Sequence, residues 1–311
     1  MTLQTLNVNP DRLPARSLQR APSPSHLLLL WGIIAIYAVA RASQLFADRL
    51  PALLIVILHI LPPAVFAIVH GSIVLGRKRT LLFAALCLGA GSAAEILGVR
   101  TGFPFGRYHF TDLMGPKILD VPILLSLAHL GIAYCAWIMS VLILGFANQR
   151  SSRPRAVAAA LLASLIMTSW DLAMDPDWST IDHAWIWHDG GAFFGVPVSN
   201  FLGWFGTAFV YYLSFAFLSR GEFVTPSSHS KSLMCLPPIL YALCALGNLL
   251  SLSMPMAPPV IADASGKPWS TAHLLTACAA VSLLGMMTFA LVSLMKLRDW
   301  RPFPHLPQQL P

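Results

Sequence analysis

Residues 121–147, VPILLSLAHLGIAYCAWIMSVLILGFA, hold no Asp, Glu, Lys or Arg, and His129 is the one side chain among them that titrates near neutrality. A helix rising about 1.5 Å per residue crosses the hydrocarbon core of a bilayer in roughly 20 residues. A surface helix of a soluble domain carries a polar face, and this stretch has none. It predicts a membrane-spanning helix. Seven more apolar stretches flank it, at 27–47, 51–75, 80–98, 156–175, 200–219, 233–252 and 271–295. The expected fold is therefore all-α, a polytopic transmembrane bundle of about eight spans.

Composition points the same way. Of 311 residues, 56% are hydrophobic and 11% charged, whereas a soluble domain carries about 25% charged residues. That gap excludes an ordinary cytosolic enzyme, a disordered chain and a nucleic-acid binder, despite a formal net charge of +7. Residues 1–26, rich in Pro, Ser and Arg, read as a disordered basic tail; 27–295 form the membrane domain, and 296–311 a short second tail. Leu27–Ala40 resembles a signal peptide, but the apolar run continues beyond Ala40 past Arg41, which favours a retained helix. The five cysteines, Cys87, Cys135, Cys235, Cys244 and Cys278, lie in apolar runs without a CxxC pair. They suggest neither a disulfide framework nor a zinc site.

Lys and Arg set the expected orientation. With the N-terminus in the cytoplasm, the inner segments carry 14 of them and the outer segments 5, with Arg41 near the outer end of the first span. This positive-inside bias places both termini in the cytoplasm and the chain in a cytoplasmic membrane of the bacterial inner type. Two outer loops depart from the trend. Residues 99–120 hold three of the five outer cations; 176–199 hold no Lys or Arg but contain Asp177, Asp182, His183, His188 and Asp189. Mutual pairing of the two loops accounts for much of that charge.

Charges within the spans are costlier, about 2.5–3.5 kcal/mol each on insertion scales, and usually face the bundle interior. Glu95 lies near the outer end of the third span, Asp171 and Asp175 in the last turns of the fifth, and His129 about two turns into the fourth. Four titratable groups from three helices thus meet in one outer layer. Asp171 and Asp175 are i, i+4 neighbours on one helix face, directly before Pro176. The helix dipole, mutual repulsion and desolvation all favour keeping one of them protonated, hence a general acid. The bland alternative is a fixed ion-pair network in which Arg100 or Arg107 neutralises them. His59 and His70 read as structural, His109, His183 and His188 as relays or solvated groups. Trp170, Trp185, Trp187 and Trp204 read as an interfacial aromatic belt. Asn200 reads as a helix cap, and Gly102, Gly106, Gly195 and Gly203 as turn or close-contact residues.

The order of residues then becomes specific. EILGVRTGFPFGRYHF (95–110), GPK (115–117), VP (121–122), WDLAMDP (170–176), WIW (185–187) and FGVPVSNFLGW (194–204) together resemble the integral-membrane carotenoid biosynthesis protein family. Its characterised members include carotenoid 1,2-hydratases of the bisanhydrobacterioruberin hydratase type. The resemblance implies a lyase that hydrates the terminal double bond of an acyclic carotenoid without metal or other cofactor. It also implies a carotenoid held within the bilayer, contact with membrane lipids, and association with other carotenoid enzymes. In that chemistry an acid protonates C2 and water adds to the tertiary cation at C1. Asp171 is the expected acid, with Asp175 or Glu95 orienting water and Arg107 and Tyr108 fixing the carboxyls. Phe103, Phe105, Tyr108 and Trp170 are the nearest aromatic faces for the cation, each contributing roughly 0.5–2 kcal/mol. Arg100, His109, His129, Asn200 and Trp204 complete the expected surroundings. Three other readings remain open: a carotenoid end-group cyclase, a carotenoid-binding protein without catalysis, and an intramembrane prenyltransferase holding Mg²⁺ on Asp171, Asp175 and Asp177.

Overall fold

A computed structural model describes residues 24–147, 149–219, 223, 231–253 and 258–299. Eight helices in it are long and apolar enough to cross a membrane: α1 (Pro24–Arg49), α2 (Ala52–Val74), α3 (Arg77–Thr101), α4 (Ile123–Ile143), α5 (Arg153–Ile181), α6 (Val198–Leu218), α7 (Lys231–Ser253) and α8 (Thr271–Arg298). They match the eight stretches expected from hydropathy to within a few residues. Of the expected tails at 1–26 and 296–311, residues 1–23 and 300–311 lie outside the described residues, whereas 24–26 belong to α1 and 296–299 continue the last helix.

Breaks between helices follow backbone chemistry. Gly76 separates α2 from α3 with φ +83°, and Gly102 ends α3 in the left-handed region with φ +80°, which glycine adopts without a Cβ penalty. Pro122 and Pro197 stand immediately before α4 and α6. The last turn of α5, Asp177–Ile181, widens into a π-turn after Pro176, whose ring denies the helix one amide donor.

The most apolar stretch takes the middle of the bundle. α4 packs against α2, α3, α5, α7 and α8, and 15 of its residues are buried. Close approach needs small residues. Gly131 of α4 faces Pro63 of α2 so tightly that an added Cβ would lie 2.6 Å from the proline ring. Along α5, Ala156, Ala159, Ala160 and Ala163 are fully buried, on the helix that makes the closest pairing with α6.

At the end where α3 and α5 finish and α4 and α6 begin, the connections form short antiparallel ribbons. β1 (Tyr108–Phe110) pairs with β4 (Trp185–Trp187) in the register Tyr108↔Trp187, His109↔Ile186 and Phe110↔Trp185. β2 (Lys117–Ile118) pairs with β3 (Val121–Pro122), and β5 (Val260–Ala262) with β6 (Pro268–Ser270). Side chains alternate across a ribbon. Tyr108, Phe110, Trp185 and Trp187 therefore all point into the bundle and are buried, while His109 is exposed. The β1–β4 ribbon is a roof of four aromatic rings over the helix ends.

Candidate active site

Glu95 of α3, His129 of α4, Asp171 and Asp175 of α5, and Asn200 and Trp204 of α6 line one cavity of about 20 Å³. Tyr108, Phe110, Trp185 and Trp187 of the ribbon close it, with Leu125 and Met174 at its side. Its size suits a single water molecule. Glu95, Asp171 and Asp175 are 5%, 3% and 1% exposed. Among the described residues, none of the ion pairs involves any of the three. The depth ordering of charges along the spans thus corresponds to a real convergence.

The carboxyls are held unequally. Asp175 Oδ1 accepts the indole N–H groups of Trp185 (2.8 Å) and Trp187 (3.4 Å), and its Oδ2 accepts Asn200 Nδ2 (2.6 Å). Asp171 Oδ2 accepts from the same Asn200 nitrogen at 3.0 Å. Glu95 Oε2 accepts the Tyr108 hydroxyl. Burial first, and then the adjacent Glu95, hold that phenol protonated far above the ordinary tyrosine range. His129 lies against Trp204, centroid to centroid 4.0 Å, and edge-on to Trp170 at 5.8 Å. The site is a set of oxygen acceptors enclosed by π faces.

Several expectations change. Arg107 does not reach the carboxyls: it sits on the outward side of the ribbon, where its Nε donates to Asp189 at 2.8 Å. Strand alternation puts Tyr108 inside and both neighbours outside, so only half of the expected Arg107–Tyr108 pair touches the site. That Arg107–Asp189 pair does join the cationic loop to the acidic one. Arg100 is exposed at the end of α3. His109 Nδ1 meets His188 Nε2 at 2.7 Å on the outer surface, where burial, His188 and Lys117 together hold His109 below the usual imidazole range. Phe103 is 70% exposed and offers no face to the cavity. Phe105 is buried but stands behind the lining, stacked on Trp204 at 4.9 Å. Asn200 is no cap, since Pro197 occupies the N-cap position; its amide instead ties the two aspartates together. Trp185 and Trp187, which the sequence places in an aromatic belt, both donate to Asp175 beside Asn200. Their alternation in WIW was the available signal.

An apolar cavity of about 50 Å³ adjoins the first, sharing Leu125, Met174 and Trp185 and continuing past Trp170, Trp178 and Ile60. On the measure by which one water needs 10–15 Å³, it has room for roughly one five-carbon alkene terminus. Asp177 turns away from both aspartates and accepts Ser251 Oγ at 3.2 Å, so the DxxxDxD string does not converge as a chelating group.

Residues 52–265 match the carotenoid biosynthesis protein family. The chain belongs to that family. Over 142 residues it is also 32% identical to a protein of Haloarcula japonica described as bisanhydrobacterioruberin hydratase, a match covering 45% of this chain and 46% of that protein. The aligned segment thus spans about half the length of that curated relative. No solved structure matches the chain. This member of the family is an integral membrane protein, with eight helices long and apolar enough to span among its described residues, and its carboxyl cavity falls within the matched segment.

Proposed function

We propose that the protein hydrates the terminal 1,2 double bond of an acyclic carotenoid end group. One observation carries the reading: three buried carboxyls share a water-sized cavity with aromatic walls and, among the described residues, no cationic partner. Three adjacent buried carboxylates cannot all be ionised, so the cluster stores protons in an oily setting. Asp175 accepts three N–H groups and Asp171 one, which suits a charged Asp175 beside a protonated Asp171. Asp171 is then the general acid. It gives its proton to C2 of an end group lying in the adjoining apolar cavity, leaving a tertiary cation at C1. Trp170, Trp178 and Trp185 line that cavity, and an aromatic ring beside a desolvated cation is worth roughly 0.5–2 kcal/mol. Glu95, held by Tyr108, reprotonates Asp171 across the one-water cavity. The hydratase name of the Haloarcula relative supports this reading. Positive-inside bias supports a cytoplasmic membrane location, where other carotenoid enzymes would hand over the substrate.

Expression in a lycopene-producing host with pigment mass analysis tests the reading. Hydration adds the mass of one water per reacting end. Cyclisation, the competing fate of the same cation, adds nothing. Unchanged lycopene with confirmed membrane insertion would overturn hydration of that substrate. A protein that only binds carotenoid would keep its pigment unaltered in mass, and equally after Asp171→Asn.

A further inference from the structure

A second polar region lies on the other side of the apolar cavity, and the chemistry proposed above makes no use of it. It is a chamber of about 350 Å³ at the same end of the bundle. Arg41 and Gln44 of α1, His59 of α2, Asp177 of α5, and Asn248 and Ser251 of α7 supply its polar wall. The chamber shares Arg41, His59, Trp178 and Asn248 with the apolar cavity. The apolar cavity is therefore flanked by the carboxyls on one side and by this chamber on the other. Ala52 and Asp182 at the mouth are exposed, while Arg41, Gln44 and His59 at the back are buried. Both mouth residues stand at helix ends beside the loops, the level at which a membrane span gives way to its connections.

Arg41 is only 9% exposed. Its Nη2 donates to Asn248 Oδ1 at 2.7 Å and to the Cys244 carbonyl at 3.4 Å. Its buried Nε has no acceptor among the described residues, and none of the ion pairs includes Arg41. A guanidinium cannot shed its charge, and a buried unsatisfied donor costs about 1–3 kcal/mol or more. Bulky residues are kept off it: a Cβ on Gly247 would collide with the guanidinium. The remaining polar wall is neutral or acidic, with Gln44, Asn248 and Ser251 as two-way hydrogen-bonding groups. The Nε itself is packed against Gly247. Gln44 already bonds the Gly247 carbonyl and His59, Asn248 bonds Arg41 and Ser282, and Ser251 bonds Asp177. Their remaining lone pairs and protons face about 350 Å³ of space, and a cavity this roomy and polar holds water.

We infer that this chamber is a hydrated vestibule, and that the water added to C1 comes from it, on the face of the end group opposite the acid. This rests on the hydratase reading. The proton goes from Asp171 to C2. Water oxygen from the chamber bonds to C1, and the resulting oxonium releases one proton into the chamber water. The sum is H and OH added across one double bond. A vestibule placed this way also explains why the cation is captured by water rather than closed into a ring.

Two measurements on the full chain in membranes test the inference. In the first, pulsed X-ray radiolysis of the substrate-free protein reports hydration independently of any activity. Trp178, which lines the chamber, should be oxidised several-fold faster than the dry core residue Trp137, and Ala47→Trp at the mouth should remove the difference. Equal rates in the wild type would overturn the vestibule. In the second, Asn248→Leu is compared with the wild type on lycopene in D₂O. Loss of hydration with continued deuterium exchange into the recovered end group is expected, because protonation survives while water capture fails. Hydration at the wild-type rate in Asn248→Leu would overturn the inference. A wild type that neither hydrates nor exchanges deuterium would instead defeat the hydratase reading, leaving the radiolysis result to stand by itself.

Discussion

The carboxyl cavity and the Arg41 chamber are both polar pockets in an apolar bundle, yet they solve burial in opposite ways. The first gathers Glu95, Asp171 and Asp175 with no Lys or Arg beside them among the described residues, and its free volume is about 20 Å³. The second buries one guanidinium, held by an amide and a carbonyl, beside about 350 Å³ of space. A carboxyl can become neutral by taking a proton, so it tolerates a tight, nearly dry enclosure. A guanidinium has no neutral form within reach and must be solvated or paired. The contrast separates a place for storing protons from a place for holding water, and an addition of water across an alkene needs both.

The largest expected effect breaks the proton side. Asp171→Asn should lower turnover by about 10²–10⁴-fold, the usual contribution of a general acid, with unhydrated precursor accumulating in pigment mass spectra. Wild-type product levels would remove Asp171 from the chemistry.

A second pair of variants sets the two pockets against each other. Asn248→Leu takes a hydrogen bond from a buried cation and Asn200→Leu takes one from the charged Asp175, so each should cost about 1.5–3 kcal/mol of stability at neutral pH. Thermal unfolding in detergent checks both losses. Lowering the pH should relieve the Asn200 loss, because the aspartates can take up protons, and should leave the Asn248 loss untouched. Equal pH responses would mean that the pockets do not differ in the way argued.

A smaller effect sharpens the acid side. Tyr108→Phe removes the hydroxyl that Glu95 accepts and should slow turnover by up to about tenfold, the rate equivalent of one ordinary hydrogen bond of about 0.5–1.5 kcal/mol. Gly98→Ala should act in the same direction, since its Cβ would stand 2.9 Å from the Tyr108 hydroxyl. Carotenoid conversion rates at fixed protein level decide both.

The smallest effect is expected on the outer face of the ribbon. Arg107 and Asp189 are both well exposed, and exposed pairs contribute little. Arg107→Ala should leave conversion within error of the wild type. A large loss would restore Arg107 to the role that its position in FGRYHF suggested.

That last case shows how far the linear chain can be read. Apolar runs mark every span, because crossing a bilayer is a demand on each segment taken separately. The depth of Glu95, His129, Asp171 and Asp175 follows by counting residues from the span ends. Counting does not tell which of Arg107, Tyr108 and His109 turns inward. A three-residue strand has two faces, and the choice depends on its pairing with Trp185–Trp187 some 80 residues away. Nor does it show that Arg41 meets Asn248, 207 positions later, or that Asn200 abandons a capping role to join two aspartates.

Membership of the membrane, the number of crossings and the layer in which the acids lie were thus properties of the amino-acid order alone, since hydropathy acts on each residue locally. Which carboxyl receives three donors, which aromatic rings face it and where a cation sits opposite were settled only when the helices and the ribbon came together. Hydrogen bonds and cavities belong to pairs and groups of residues, and only the folded arrangement decides which partners meet.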